Sequence, residues 1–203
     1  MKDNTPNETC YDFSSDWFSM RIPLFEKYVA PLGGSPCALL EIGPYEGRST
    51  TWLIDNALTH PESHLDSVDL HLSDKLRRNV DRTGRAQQVT LYEGLSREIL
   101  RTLPLAFYDF IYIDGSHHTI DVLEDAILAF RLAKLGAVIT FDDYLWDEPP
   151  WNEYGTPKPA IDTFLTLYAY PTRYGRMVDV IETGDSWQVW VRKVSDQPRP
   201  SGV

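Results

Sequence analysis

The chain reads as an α/β protein, a mostly parallel sheet with helices on both faces that closes on an antiparallel hairpin. Three observations carry this. Short apolar runs of buried-strand type alternate five times with amphipathic stretches of helical period. The five runs end on acids, Glu41, Asp69, Glu93, Asp114 and Asp142. After one more amphipathic stretch come two β-rich runs, RMVDVIET and SWQVWVRK, separated by Gly184-Asp185. A two-residue link of that kind is a hairpin turn.

The elements follow in order. A first helix is expected over about residues 15–29, with Trp17, Phe18, Ile22, Leu24, Phe25 and Tyr28 as its apolar residues and Pro23 bending or splitting it. Pro31, Gly33, Gly34 and Pro36 then break the chain. CALLEIG, ending at Gly43, is the first strand, and a helix is expected from Arg48 to about Leu58. HLDSVDL is the second strand, and Ser73 is placed to cap a helix running to about Asp81. QVTLYEG is the third strand, SREILRTL a short helix and YDFIYIDG the fourth strand. A long helix is expected from a cap at Thr119 to Gly136, a residue type that favours helix C-termini. AVITFDD is the fifth strand, and PAIDTFLTLYA the last helix.

Composition narrows the function. The 203 residues are 42% hydrophobic, enough for one domain with a full core. Formal net charge is −11, which argues against a nucleic-acid partner, since such binding rests on clustered Lys and Arg. The one basic cluster, Lys75 to Arg85, has the spacing of a solvated helix face. Cys10 and Cys37 form neither a CxxC pair nor a disulfide framework. The N-terminus is polar, and no apolar stretch approaches the ~20 residues that span a bilayer. A cytoplasmic protein without a membrane partner is the expectation, and the sequon at Asn7 then carries no meaning.

In an open parallel sheet ligands bind beyond the C-terminal strand ends. One strand-end acid is ordinary; five along one edge suit a site that reads hydroxyls, amines or a metal. The first loop, EIGPYEGRST, has neither the GxGxxG of nicotinamide-cofactor sites nor the GxxxxGK[ST] of nucleoside triphosphatases. Its Gly43 and Gly47 form a tight turn that also permits close backbone approach by a ligand. An acid just ahead of them suits positive charge better than pyrophosphate. Asp69 lies 22 residues beyond Gly47, a spacing that suits a carboxylate on ribose hydroxyls. Gly94, Leu95 and Ser96 close the third strand, where an adenine would lie.

LLEIGPYEGRSTTWL, SVDL, EGLSREIL, YIDGSHH and ITFDDY, in this order and spacing, resemble class I S-adenosylmethionine-dependent methyltransferases. The likeness is nearest to small, often metal-dependent O-methyltransferases of the catechol and macrolide-sugar type. It covers about residues 38–193 and implies a Rossmann-like, seven-stranded sheet. Residues 37–203 would form the cofactor-binding domain and residues 1–36 a helical cap segment, with dimerisation through N-terminal helices. Glu41, Gly43, Tyr45, Gly47 and Ser49 would surround the methionine part, Asp69 the ribose, and Gly94, Leu95 and Ser96 the adenine, with Asp114 also near the cofactor. Asp114, Asp142 and Asp143 would bind a divalent ion, Mg²⁺ or also Mn²⁺ or Ca²⁺, all hard-ligand cations. The alternative is that Asp114 contacts only the cofactor and the acid pair caps the next loop.

A hydroxyl acceptor must also lose its proton. The catechol-type pattern places the base at His117, with His118 the neighbouring choice. The macrolide-sugar type instead has an aspartate where this chain has Ser116. The loop LWDEPPWNEYGTPKP, with Trp146, Trp151 and Tyr154, is the candidate acceptor wall, and the segment holding Trp17 and Phe18 closes the other side. The expected activity is methyl transfer to a hydroxyl of a small molecule. The alternatives are a metal-independent enzyme acting on an amine or carboxylate, and a nucleoside-binding protein without methyl transfer.

Overall fold

In a computed structural model of the chain, residues 11–149, 153, 155–170, 175–184 and 187–196 are described. Among them run seven strands and six helices. The strands are β1 (Ala38–Ile42), β2 (His64–Asp69), β3 (Val89–Glu93), β4 (Tyr108–Ile113), β5 (Ala133–Phe141), β6 (Val178–Glu182) and β7 (Val189–Lys193). The helices are α1 (Ile22–Tyr28), α2 (Arg48–Asn56), α3 (Asp74–Arg82), α4 (Ser96–Ile99), α5 (Thr119–Leu132) and α6 (Pro157–Tyr168). One sheet orders the strands β3-β2-β1-β4-β5-β7-β6. β1 to β5 pair in parallel, and β7 is antiparallel to both β5 and β6. The α/β architecture with a closing hairpin is therefore as the alternation of runs predicts. Asp185 of the expected turn lies outside the described residues.

Both sheet faces are covered. On one, Phe25 of α1, Leu53 and Ile54 of α2 and Leu76 of α3 pack on Leu39, Leu65, Phe110 and Trp190. Phe25 meets Tyr112 and Trp190 edge-on, at centroid distances of 5.1 and 5.2 Å. On the other, Val122, Ala126 and Phe130 of α5 and Ile161 and Phe164 of α6 pack on Leu40, Ile111 and Ile139. Such sandwiched strands are apolar on both faces, which is why the runs read as continuous rather than alternating.

Two helices differ from expectation at their ends. The stretch from residue 15 does not form one bent helix. A short 3-10 turn, Ser19–Arg21, leads into α1, and Pro23 sits in the first turn, where its missing N–H has no partner to lose. α5 stops at Leu132, four residues before Gly136. Lys193 explains the early stop. Its buried ammonium donates to the carbonyls of Phe130 and Ala133, at 3.0 and 2.8 Å, closing the helix from outside. Ala133 already pairs with Tyr108, and Gly136, at φ 88°, instead shapes an irregularity in β5. There β4 advances two residues while β5 advances five. Ser73 does cap α3, accepting from the Leu76 amide at 3.1 Å.

Backbone hydrogen bonds extend the sheet one step past the strands. Gly43 N–H donates to Val68, Gly94 to Asp69, Asp114 to Ile42 and Asp142 to Ile113, all at 2.8–2.9 Å. The chain segments that follow four strands thus begin on one level.

Candidate active site

Gly43 leaves β1 at φ 88°, and a Cβ there would lie 2.0 Å from the carbonyl oxygen of Asp114. Only glycine lets the loop pass so close to the end of β4. Tyr45 follows at φ 50°, and Gly47, at φ 87°, is the N-cap of α2. Glu41 holds this loop from beneath. It is fully buried in β1. Its carboxylate accepts from Ser49 (2.5 Å), Thr50 (2.7 Å) and Ser67 (2.9 Å), tying the first turn of α2 to β1 and β2. Burial pushes the Glu41 carboxyl above the usual range, against the pull of these three hydroxyls. Ser49 is buried with it, and Gly47 faces Leu76 of α3.

A cavity of about 1080 Å³ opens along the strand tips. Gly43, Tyr45, Asp69, Gly94, Leu95, Ser96 and Asp114 line it, whereas Glu41, Gly47 and Ser49 lie behind its wall. Asp69 is oriented by backbone amides, accepting from Tyr45 N–H at 3.3 Å and His71 N–H at 3.1 Å. Leu70 and Leu95 add exposed apolar faces beside it. Single-ligand pockets commonly hold ~300–1,000 Å³, so this one has room for a nucleoside cofactor and a second small molecule.

At the far end of the cavity the acids part company. Asp142 Oδ1 accepts from the Arg21 guanidinium (3.0 Å) and from Asp143 N–H (2.8 Å). Its Oδ2 accepts from the Tyr112 hydroxyl (2.5 Å) and the Gln188 amide (2.8 Å). Asp143 takes φ 56°, a left-handed conformation that aspartate tolerates better than most residues. That backbone turns its carboxylate away from Asp142 and onto His117, with Oδ2 to Nε2 at 2.7 Å. The His117 ring lies against Trp146 at 4.4 Å and 27°. Asp114 shares the Tyr112 hydroxyl at 2.9 Å. One phenolic proton cannot serve two carboxylates fully. Burial, then the charges of Asp142 and Asp143, hold the Asp114 carboxyl well above its ordinary range.

Among the described residues, the donor atoms that meet within 4.8 Å of one another are those of Asp114, His117 and Asp143. Asp142, expected in a three-acid cation set, is not in that group. Its two oxygens offer about four lone-pair positions, and four donors already point at them. His118 also lines the cavity, but it is half exposed and faces Asp121 at 3.7 Å. Ser116 donates to the same Asp121, at 2.8 Å.

Trp146 stands in the wall, while Trp151 and Tyr154 lie outside the described residues. On the opposite side Trp17 packs at a tilt on Tyr45, centroids 5.4 Å apart, and borders the cavity, whereas Phe18 turns into the core. Sequence reasoning missed Arg21 and Trp187, which also line the cavity. Arg21 lies among the polar residues of the expected first helix. Its only sequence signal is a lone cation near acids that meet it through the fold.

Comparison with known proteins agrees with this architecture. A family model described as a methyltransferase domain matches residues 40–144. A catechol O-methyltransferase of Mycobacterium tuberculosis is 31% identical over 124 residues, covering 59% of this chain and 54% of that protein. The chain thus aligns with about half the length of that relative. An O-methyltransferase from Bacillus cereus, solved with S-adenosylhomocysteine, matches with TM-score 0.65 at 22% identity, over 90% of this chain and 84% of that one. The O-methyltransferase TomG of Streptomyces achromogenes, solved with S-adenosylmethionine, matches with TM-score 0.60 at 19% identity, over 78% and 73%. At these identities the solved structures speak for the fold. Half of the chain, from the middle of β1 through the acid pair after β5, matches the family model, and the chain belongs to the methyltransferase-domain family.

Proposed function

We propose that the chain transfers the methyl group of S-adenosylmethionine to a hydroxyl of a small molecule. The observation that carries this reading is the pairing of His117 with Asp143 in the wall of a cavity whose other end presents Asp69, Gly94 and Ser96. Asp69 would accept from the ribose hydroxyls. Leu70 and Leu95 would flank the adenine, and Gly43 and Tyr45 would border the methionine part. Bound cofactor would supply an activated methyl group on a sulfonium. Asp143 would hold the His117 Nε2–H, which leaves Nδ1 as the ring's proton acceptor. Trp146 fixes the ring plane, so that a hydroxyl delivered beside Nδ1 meets a base in one orientation.

A second reading rests on the meeting of Asp114, His117 and Asp143. A divalent cation bound there would lower the acceptor's pKa and would remove His117 from the role of base. Two carboxylates and an imidazole suit Mn²⁺ better than Mg²⁺.

The test of the cofactor assignment is calorimetry with S-adenosylhomocysteine. Wild type should bind it, and Asp69→Ala should weaken binding by roughly 1.5–3 kcal/mol as charge-assisted hydrogen bonds are lost. An unchanged affinity would remove Asp69 from the site.

A further inference from the structure

The acid pair ending VITFDDY predicts a divalent cation, and the fold brings an arginine to it instead. Arg21 Nη2 lies 3.0 Å from Asp142 Oδ1, and the two side chains are 11% and 5% exposed. The arginine is placed by its own segment. Asp16 accepts from Ser19 N–H at 2.9 Å and pairs with Arg48 of α2 at 2.6 Å, fixing the turn Ser19–Arg21 over the cavity. Its guanidinium carbon stands 5.9 Å from the Trp187 ring centroid. Asp142 then has four donors on two oxygens and no lone pair free for a metal. The Nε–H of Arg21 is buried without a partner among the described residues, although the residue borders the cavity. Such a donor is satisfied when an oxygen of a bound molecule reaches it.

We propose that Arg21 is the resident cation of this site, standing at Asp142 where the sequence pattern calls for a divalent ion. The assignment rests on the methyl-transfer reading above. In that reaction the acceptor's proton passes to His117 Nδ1, its oxygen pair forms the O–C bond, and the S–C pair returns to sulfur. An oxygen that loses its proton beside Asp142 and Asp143 is disfavoured by their like charges. A fixed guanidinium offsets them without a metal, in a geometry set before the acceptor arrives.

The experiment titrates Mn²⁺ into wild type, Arg21→Lys, Arg21→Gln and the double variant Arg21→Gln/Asp142→Asn, reading free Mn²⁺ by electron paramagnetic resonance. Wild type and Arg21→Lys should leave the free-ion signal unchanged at millimolar metal. Arg21→Gln frees a carboxylate and should bind the ion at least tenfold more tightly than wild type, and the double variant should lose that gain. Wild type binding Mn²⁺ as tightly as Arg21→Gln overturns the proposal, and so does an Arg21→Gln protein that folds and gains no affinity. Should Arg21→Gln fail to fold, wild type is compared with Asp142→Asn: Mn²⁺ binding that Asp142→Asn weakens puts the ion on Asp142 and overturns the assignment, whereas binding that it leaves unchanged, or no binding in either, upholds it. Calorimetry with S-adenosylhomocysteine runs beside each titration. Wild type failing to bind it would refute the cofactor reading, while the Mn²⁺ comparison separately decides what occupies the place at Asp142.

Discussion

Replacing Glu41 separates two roles for an acid next to the glycine loop. The carboxylate is fully buried and accepts from three hydroxyls, on Ser49, Thr50 and Ser67. Glu41→Ala leaves all three without that acceptor. Each unsatisfied buried hydroxyl costs roughly 1–3 kcal/mol, part of it recovered as hydroxyls rotate or water enters. The expected net loss is about 3–5 kcal/mol, the range for removing one partner from a buried charged network. In a domain of this size that is a fall in melting temperature of about 10–15 °C. Because the network fixes the first turn of α2, cofactor fragments should suffer together. S-adenosylhomocysteine and methylthioadenosine, which lacks the amino-acid part, should both weaken by one common factor in calorimetry. Glu41→Gln keeps the volume and one acceptor, so it should fall between wild type and Glu41→Ala. A selective loss of S-adenosylhomocysteine would refute this reasoning, since it would mean that the carboxylate meets the amino-acid part directly. So would an unchanged melting temperature in Glu41→Ala.

His117→Ala should lower turnover by roughly 10²–10⁴-fold and leave S-adenosylhomocysteine affinity nearly intact; if His118→Ala shows that loss instead, the base lies one residue on. His64 bonds to Asp66 at 2.8 Å, and that bond raises its pKa despite partial burial. A raised value contributes stability that is complete below the unfolded pKa, about 6.5, and is lost as pH rises through the folded one. The melting difference between wild type and His64→Asn should therefore shrink from about pH 5.5 to about pH 8.5, and a difference that grows with pH would contradict the assignment. Lys193→Met keeps the stem but leaves the Phe130 and Ala133 carbonyls without their donor. It should cost about 2–3 kcal/mol in urea unfolding, with hydrogen exchange fastest in the last turn of α5.

The sheet was legible because each buried strand is a short apolar run with punctuation on both sides, and because Gly43 and Gly94 mark where strands stop. Helix ends were less so. α5 carries a helical pattern through to Gly136, but its last residues are taken by pairing with Tyr108 and by the ammonium of Lys193, 57 residues further on. No local rule sees a donor that arrives from another strand. The site divides in the same way. Asp69, Gly94 and Asp114 follow from position on a strand tip, since the fold alone sends those residues to the cavity. Glu41 does not, because a strand's last residues alternate between faces. Ile42 borders the cavity while Glu41 points into the layer beneath α2.

The same alternation explains how two adjacent carboxylates end a buried strand. Like charges side by side need not share a counter-ion if the backbone separates them. Asp142 continues the strand's register and turns inward, to Tyr112, Gln188 and Arg21. Asp143 breaks the register at φ 56° and turns outward, to His117. Each acid thus acquires a partner of its own, and the two partners come from distant parts of the chain. The sequence pattern alone fits both a cation bridging the pair and a pair split by a left-handed residue. Deciding between them needs one long-range fact, the position of Arg21, which lies 121 residues before Asp142. The partition also separates neighbouring residues: Asp142 is saturated and ties down the N-terminal segment, while Asp143 pairs with His117 in the cavity wall, where the proposed proton transfer would occur.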